Sequence, residues 1–144
     1  MSFKLVSVII PTFNRPDMLR VALESLRAQT DPLWEAVVVD DGNGTGLELA
    51  QQLNDRRIRA FMNKGAGQVQ ARNMAILESE GDTIAWLDDD DWWEEKGHIE
   101  RVKKSLEVPA LVHSHGYFVF TDKNNKRVPY ELSATPESMR KDNT

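Results

Sequence analysis

Four consecutive aspartates, Asp88–Asp91, follow an apolar segment and run directly into two tryptophans. Like charges on adjacent residues repel one another, and the end of a buried strand offers them little water. A divalent cation relieves this repulsion, because carboxylate oxygens suit Mg²⁺ or Mn²⁺. The alternative is a solvated acidic turn that also caps the following helix. Both interpretations are open on these four residues alone.

Three other places in the sequence carry residues that can bind or approach a ligand. Asp41 can accept a hydrogen bond from the imide N–H of a uracil, while Asp40 supports the loop. Alternatively, both can serve only as turn residues. Arg72 occurs early in a predicted helix, where the helix dipole already favours an anion. It can hold a diphosphate or a base carbonyl, or pair with an aspartate. Gly65 and Gly67 allow close approach of the backbone to a ligand, or merely form the turn into that helix.

Aromatic and histidine side chains offer further contacts, each with an ordinary alternative. Trp92 and Trp93 can stack on a sugar or a base, although one of the two can instead fill the core. His113 and His115 alternate along a predicted strand and therefore point the same way. They can complete the ligand shell of a metal ion, or they can pack within the fold with their ring nitrogens hydrogen-bonded.

Apolar patterns predict which elements position these residues. Short runs of β-branched or apolar residues bounded by turn residues are typical of strands. Apolar residues that recur every three or four positions are typical of helices. The helix that begins near Pro16 has its apolar face at Leu19, Ala22, Leu23 and Leu26. Three further helices are expected around Leu47–Leu53, over Gly67–Glu80 and between Glu94 and Glu107. The predicted strands are Val6–Ile10, Ala36–Val39, Ile58–Met62, Thr83–Leu87, Leu111–Phe120 and Arg127–Tyr130.

This alternation of strands and helices predicts an α/β protein, a three-layer α/β/α sandwich around a mostly parallel sheet. The third strand is expected at an edge, because arginines alternate with its apolar residues. Ligands of such sheets bind beyond the carboxyl ends of the strands. Polar motifs follow four of the strands, at Thr12–Arg15, Asp40–Asp41, Asn63–Gly65 and Asp88–Asp91. Their convergence on one edge predicts a ligand site there.

Composition limits the function classes. The chain has 144 residues, which predicts a single domain over residues 1–130 and a polar tail over residues 131–144. Its net charge of −5 argues against nucleic acid as a partner. It has no cysteine, so thiolate metal sites and disulfides are excluded. The sequence has no apolar span of 18 residues, so we expect no membrane span and a cytoplasmic location. A homo-oligomer remains open.

Several familiar catalytic motifs are missing from the sequence. There is no Gly-x-Gly-x-x-Gly after the first strand and no Gly-Lys-Ser/Thr phosphate loop, which argues against dinucleotide binding and P-loop hydrolysis. No Gly-x-Ser-x-Gly nucleophile elbow occurs. A phosphatase with an aspartate nucleophile would carry it after the first strand, where this chain has Pro11 and Thr12.

Four motifs, in order and with matching spacing over about residues 5 to 106, resemble the family 2 glycosyltransferases of the GT-A fold. They are Val8–Arg15, Val37–Gly42, Asn63 with Ala71–Asn73, and Gly81–Asp82 with Leu87–Trp92. The resemblance implies a nucleotide-diphosphate-sugar donor, with a UDP-sugar favoured, and an Mn²⁺ or Mg²⁺ ion. It also implies transfer of the sugar to an acceptor, here unknown, with inversion at the anomeric carbon.

The resemblance also assigns roles to individual residues. Thr12 and Arg15 are expected along the nucleotide pocket, Asp41 on the base and Arg72 on the nucleotide. Asp88 and Asp90 are the expected metal-binding residues, in the position of the family's Asp-x-Asp element. Asp88 or Asp89 is also expected to contact the ribose or a metal-bound water. The full nucleotide-sugar-binding set comprises Pro11, Thr12, Phe13, Arg15, Asp40, Asp41, Asn63, Gly67, Arg72, Asp88 and Asp89.

The catalytic base is not identified by the resemblance. Family members usually continue beyond the length of this chain, into an acceptor site with an Asp or Glu that deprotonates the attacking hydroxyl. Asp122, Glu131 and Glu137 are carboxylates of the remaining region, but no surrounding motif supports any of them. General-base catalysis typically accelerates a reaction about 10²–10⁴-fold, so a chain without the base would transfer the sugar slowly or only hydrolyse the donor. The alternative function is therefore a non-catalytic or donor-hydrolysing nucleotide-sugar-binding module.

Overall fold

The structure is a computed structural model that describes residues 5–107, 118–121 and 127–130, the last two ranges as backbone only. Contacts divide the chain into two compact units, Met1–Val108 and Pro109–Thr144. A single domain over residues 1–130 remains a prediction. In the described ranges, no helix has the length and apolar content needed to cross a lipid bilayer.

The first unit alternates strands and helices, as predicted. Its parallel sheet has the strand order β3–β2–β1–β4, which places β3 at an edge as the alternating arginines indicated. The elements are β1 (Val6–Thr12), α1 (Pro16–Arg27), β2 (Trp34–Asp40), α2 (Thr45–Gln52), β3 (Ile58–Met62), α3 (Gln68–Glu78), β4 (Thr83–Trp86) and α4 (His98–Ser105).

Side chains of the central strand β1 alternate between two cores. Val8 and Ile10 belong to the core that contains the buried face of α1 and residues of α2, together with Ile99 of α4. Ile9 belongs to the opposite core, which contains Ala71 and Ala75 of α3. Residues at alternate positions of a strand point to opposite faces of the sheet. The sheet is therefore covered on both faces, and the predicted α/β/α architecture is confirmed.

Helix α1 forms where its sequence signals predict. Pro16 occupies the first helical turn, where its missing N–H removes no hydrogen bond. Asp17 and Arg27 lie in the first and last turns, where their charges complement the helix dipole. The four predicted apolar residues are fully buried: Leu19, Ala22, Leu23 and Leu26.

Strand β1 extends two residues further than predicted, through Pro11 to Thr12. A proline in a central strand normally removes a ladder hydrogen bond. Here β4 pairs with β1 only as far as Ile9, whereas β2 pairs along its whole length. Pro11 therefore lies beyond the β4 ladder, which makes it compatible with this position.

Glu35 is a buried carboxylate near the amino end of β2. It lies outside the strand boundary that the apolar pattern predicted. Its Oε1 accepts hydrogen bonds from Ser7 Oγ and the Glu80 amide, both at 2.6 Å, and its Oε2 accepts from Arg59 Nη2 at 2.7 Å. Burial alone would raise the pKa of Glu35, but the donors of Ser7, Glu80 and Arg59 outweigh it and lower this pKa below its ordinary value. The network connects β1, β2 and β3 with the loop that follows α3.

The described part of the second unit is an antiparallel pair of strands, β5 (Phe118–Thr121) and β6 (Arg127–Tyr130). Strand β6 has the predicted bounds, and β5 overlaps the end of the predicted Leu111–Phe120 strand. Residues 111–117, with His113 and His115, lie outside the described residues. The same holds for Asp122, Glu131 and Glu137.

Candidate functional site

The loops that follow β1, β2, β3 and β4 meet at the carboxyl edge of the sheet. Asp41 N donates to Thr12 O at 2.9 Å, and Asn63 N donates to Asp40 O at 2.8 Å. These bonds extend the parallel ladders beyond the ends of the strands and fix the backbone of each loop against its neighbour. The predicted convergence of the polar motifs is therefore present in the fold.

Asp40 supports the loop that connects β2 to α2. Its carboxylate is fully buried, and it accepts hydrogen bonds from Gly42 N at 2.8 Å and from Gly46 N and Leu47 N at 2.9 and 3.1 Å. Gly46 and Leu47 belong to the first turn of α2, whose free amides favour a negative charge. Because these three donors occupy its carboxylate, Asp40 has the geometry of a capping residue.

Asp41 is held by the β3 exit and the start of α3. Asn63 Nδ2 donates to its Oδ1 at 2.8 Å, and Gly67 N lies 3.2 Å from both carboxylate oxygens. Gly67 has a φ of +96°, a conformation that side-chain-bearing residues rarely adopt. A carboxylate has about four acceptor positions. Asp41 Oδ2 therefore retains capacity for a further donor.

Asp41 opens onto a cleft between the β1 exit and the first turns of α3. Phe13, which lines the same cleft, is 53% exposed, so an aromatic side chain is accessible there. The cleft is lined by Pro11, Thr12, Phe13, Arg15, Asp41, Gln68 and Ala71. Five of these seven residues were predicted from the sequence. Gln68 and Ala71 were not, although Gln68 directly follows Gly67 and Ala71 belongs to one of the four motifs.

Asp89 is buried to 1% exposure and accepts hydrogen bonds from two residues of the β1 exit. Thr12 Oγ1 donates to its Oδ2 at 2.9 Å, while Arg15 donates from Nη2 to Oδ1 at 2.6 Å and from Nε to Oδ2 at 3.2 Å. Two parallel N–H···O bonds of this kind fix geometry as well as charge. The second aspartate of the run is thus directed inwards, away from its three neighbours.

Arg72 connects α3 with the β4 exit. Its Nη2 lies 3.3 Å from Asp88 Oδ1, and its Nη1 lies 3.4 Å from Gln68 Oε1. Both contacts are long for charged hydrogen bonds, and the guanidinium is one-third exposed. Arg72 therefore lies near the aspartate run and is accessible to an anionic ligand.

Asp88, Asp90 and Asp91 form a cluster of exposed carboxylates, with one oxygen from each within 4.8 Å of the others. Partial burial, and then the charges of Asp90, Asp88 and Asp89, raise the pKa of Asp91 above its ordinary value. Three hard oxygen donors in this arrangement fit a small divalent cation. The sequence predicted Asp88 and Asp90 for this site. Asp91 was missed, although it continues the same run.

Trp93 packs partly against the core that includes α1, and its ring lies 4.2 Å from the His98 ring, measured between centroids. Of the two tryptophans after the aspartates, Trp93 thus matches the core-filling alternative.

Comparison with known sequences places these residues in a family context. The family model described as Glycosyl transferase family 2 matches residues 7–144. The Bacillus subtilis protein "Uncharacterized glycosyltransferase YwdF" is 34% identical over 142 residues, covering 94% of this chain and 53% of that protein. The putative teichuronic acid biosynthesis glycosyltransferase TuaG of the same organism is 32% identical, covering 72% of this chain and 41% of TuaG. This chain therefore spans about half the length of these relatives or less.

Solved structures share the fold of the chain. S. aureus TarS 1–349 in complex with UDP-GlcNAc superposes with a TM-score of 0.66 at 26% identity, covering 72% of this chain and 31% of TarS 1–349. The mannosyltransferase PcManGT from Pyrobaculum calidifontis, in complex with GDP-Man and Mn²⁺, gives a TM-score of 0.66 at 25% identity. That match covers 75% of this chain and 34% of PcManGT. The resemblance found in the sequence motifs is confirmed, and the chain belongs to glycosyl transferase family 2.

Proposed function

We propose that this chain binds a nucleotide-diphosphate sugar together with a divalent cation and forms the donor-binding part of a glycosyltransferase. UDP-sugars are the favoured donors, and Mn²⁺ or Mg²⁺ is the ion. The observation that carries the proposal is that the Asp41 carboxylate, two arginines and the carboxylate cluster lie at the same edge of the sheet. Family membership supports the reaction type, a transfer of the sugar to an acceptor.

The base is assigned to the cleft beside Asp41. Uracil presents an imide N–H, and Asp41 Oδ2 has an acceptor position left after its contact with Gly67. Asn63 and the Gly67 amide hold the carboxylate in one orientation, so little side-chain freedom is lost on binding. Phe13 offers an exposed ring beside this position. Asp41 and its supporting residues thus supply both recognition and pre-organisation.

The diphosphate is assigned to the region between Arg72 and the carboxylate cluster. The cation would be held by Asp88, Asp90 and Asp91, whose oxygens lie within 4.8 Å of one another. Such an ion neutralises a diphosphate and favours departure of the nucleotide. Arg72 adds a guanidinium at the same edge and can exchange its long contact with Asp88 for a phosphate oxygen.

Calorimetry with UDP and GDP, each with Mn²⁺, Mg²⁺ or EDTA, tests this function. We expect UDP to bind more tightly than GDP, and Mn²⁺ or Mg²⁺ to strengthen binding. Asp90→Asn should remove the effect of the metal. Asp82→Asn is the matched control, because Asp82 is an exposed aspartate at the opposite end of β4. It should behave like the wild type.

Binding of equal strength in EDTA and in Mn²⁺, unchanged by Asp90→Asn, would contradict the metal-dependent site. Incubation of the chain with a labelled nucleotide-sugar panel separates transfer from binding alone. Release of the sugar to an acceptor supports transfer. Release to water alone, or metal-dependent binding without turnover, supports the alternative, a donor-hydrolysing or non-catalytic nucleotide-sugar-binding module.

A further inference from the structure

The segment between β4 and α4, residues 87–97, carries all four aspartates. Every residue of this segment is described, and none of them belongs to a helix or a strand. Its geometry must therefore be maintained by contacts other than a regular backbone ladder. Three of those contacts are with α1 and the residues at its two ends.

The first attachment is at Asp89. Arg15, immediately before α1, holds this carboxylate through two hydrogen bonds, and Thr12 adds a third. Within the turn itself, Asp91 N donates to Asp88 O at 3.1 Å. Asp89 is thereby fixed on the side of the segment that is nearer to β4.

The second attachment is at Trp93, and it uses Ser25 in the third turn of α1. Trp93 N donates to Ser25 Oγ at 3.1 Å. The same hydroxyl donates to Ala22 O at 2.6 Å, so its hydrogen is directed into the helix and a lone pair remains for Trp93. The ring of Trp93 packs against the core that contains Leu23 and Leu26, which holds it on the same helix.

The third attachment follows α1. Gln29 Nε2 donates to Glu95 O at 2.8 Å, and Gln29 Oε1 accepts from Ile99 N at 3.0 Å. Gln29 is buried, at 7% exposure, so these bonds are shielded from water. The entry into α4 is thereby fixed as well.

We propose that Ser25 is a positioning residue for the metal-binding carboxylates. Asp90 and Asp91 lie between the attachments at Asp89 and Trp93, so only a few backbone torsions separate them from fixed points. Loss of the Ser25 hydroxyl removes the acceptor of the Trp93 amide. The end of the turn at Trp93 can then move, and Asp90 and Asp91 can move with it. The inference rests on the proposed function, because it presumes that these carboxylates hold a cation.

The test compares Ser25→Ala with Ser105→Ala. Ser105 makes the same type of bond in α4, from Oγ to Val102 O at 2.7 Å, but lies beyond the segment that bears the aspartates. For each variant, the dissociation constant of UDP is measured by calorimetry in Mn²⁺ and in EDTA. The dissociation constant in EDTA divided by that in Mn²⁺ measures the coupling between metal and nucleotide. A general loss of stability does not alter this ratio at a temperature well below unfolding.

We expect Ser25→Ala to reduce this ratio by about tenfold, the lower end of the effect of groups that orient metal ligands. Its UDP affinity in EDTA should match the wild type. Ser105→Ala should leave both constants unchanged. Ser25→Thr keeps the hydroxyl and should restore the ratio, since a threonine Oγ1 can make the same bonds in a helix.

A wild-type ratio in Ser25→Ala overturns the inference, as does an equal loss of UDP affinity in Mn²⁺ and EDTA. In both cases Asp90→Asn still tests the proposed function separately. If the wild-type protein binds UDP equally with and without Mn²⁺, the proposed function fails, and the role of Ser25 fails with it.

Discussion

The Arg15 guanidinium and the Asp89 carboxylate form a two-point ion pair, with Nη2–Oδ1 at 2.6 Å and Nε–Oδ2 at 3.2 Å. Asp89 is 1% exposed, whereas Arg15 is 41% exposed. The neighbouring Asp90 is half exposed, and its contact with Arg15 is 3.4 Å long. Two adjacent aspartates therefore have different surroundings: Asp89 is enclosed by its partners, whereas Asp90 is accessible from solvent.

Asp89→Asn and Asp90→Asn should test this difference. Asp89→Asn removes the closer of the two charged partners of Arg15, and we expect a loss of about 1–3 kcal/mol in the free energy of unfolding, moderated by the solvent around Arg15. Asp90→Asn should change it by less than about 0.5 kcal/mol, because exposed pairs contribute little. Urea unfolding measures both values. Equal losses in the two variants would contradict the distinction.

Asp41→Asn should weaken nucleotide binding with or without metal. The substitution keeps the shape of the side chain but removes the charge that strengthens a bond from a base N–H. We expect UDP affinity to fall by about 10–100-fold, the equivalent of a charged hydrogen bond of about 1.5–3 kcal/mol. Calorimetry in EDTA and in Mn²⁺ should show the same factor. A loss confined to the Mn²⁺ condition would place Asp41 at the metal instead of the base.

Glu35→Gln should reduce the dependence of stability on acidic pH. The pKa of Glu35 is lowered in the folded state, so the unfolded chain binds its proton at a higher pH than the folded chain does. Its contribution is therefore complete above the ordinary value of 4.5 and is lost as the pH falls from there towards the lowered pKa. Urea midpoints at pH 7 and near pH 4 should differ less in the variant. An identical difference in both proteins would contradict this role.

Gly81→Ala should destabilise the fold through a steric clash with β1. A Cβ at Gly81 would lie 2.5 Å from both Leu5 O and Ser7 Oγ, closer than these atoms can approach. We expect a loss of about 1–3 kcal/mol, the usual consequence of overpacking. Gly97→Ala is the matched control, since its Cβ would meet only Glu100 Oε2 at 4.0 Å. Thermal unfolding should show a lower melting temperature for Gly81→Ala alone.

The sequence was sufficient to predict the parallel sheet and the convergence of polar residues beyond the carboxyl ends of its strands. Strands such as Ile58–Met62 have strong apolar patterns and clear turn residues at both ends, so their bounds are readable without tertiary information. The positions of Asp41 and Asn63 follow from the same pattern, because residues after parallel strands meet at one edge. Strand ends therefore predicted the neighbourhood of the site well.

The roles of individual aspartates could not be predicted in the same way. Asp88 to Asp91 are identical residues, and their difference comes from the turn that directs Asp89 towards Thr12 and Arg15. Turn geometry of this kind depends on contacts with residues at and just after the end of β1, 77 and 74 positions away in the sequence, which no local pattern encodes. The same reason explains why Asp91 was missed as a member of the carboxylate cluster.

The Glu35 network was missed because charged residues rarely occur inside buried strands. The apolar run Ala36–Val39 marked the centre of β2, whereas the strand begins at Trp34. Glu35 is tolerated there because its partners come from Ser7, Arg59 and the Glu80 amide, which are distant in sequence. Only the assembled sheet supplies them.

Pairing of β4 with β1 joins two strands that are far apart in the sequence, with Val6 opposite Thr83. The hydrogen bond from Thr12 to Asp89 spans 77 residues, so its formation requires closure of a long loop. We therefore expect the candidate site to assemble late in folding, after the local helices have formed. Nucleotide binding can serve as a reporter of complete folding, since a chain interrupted before β4 contains Asp41 and Arg72 but none of the four aspartates.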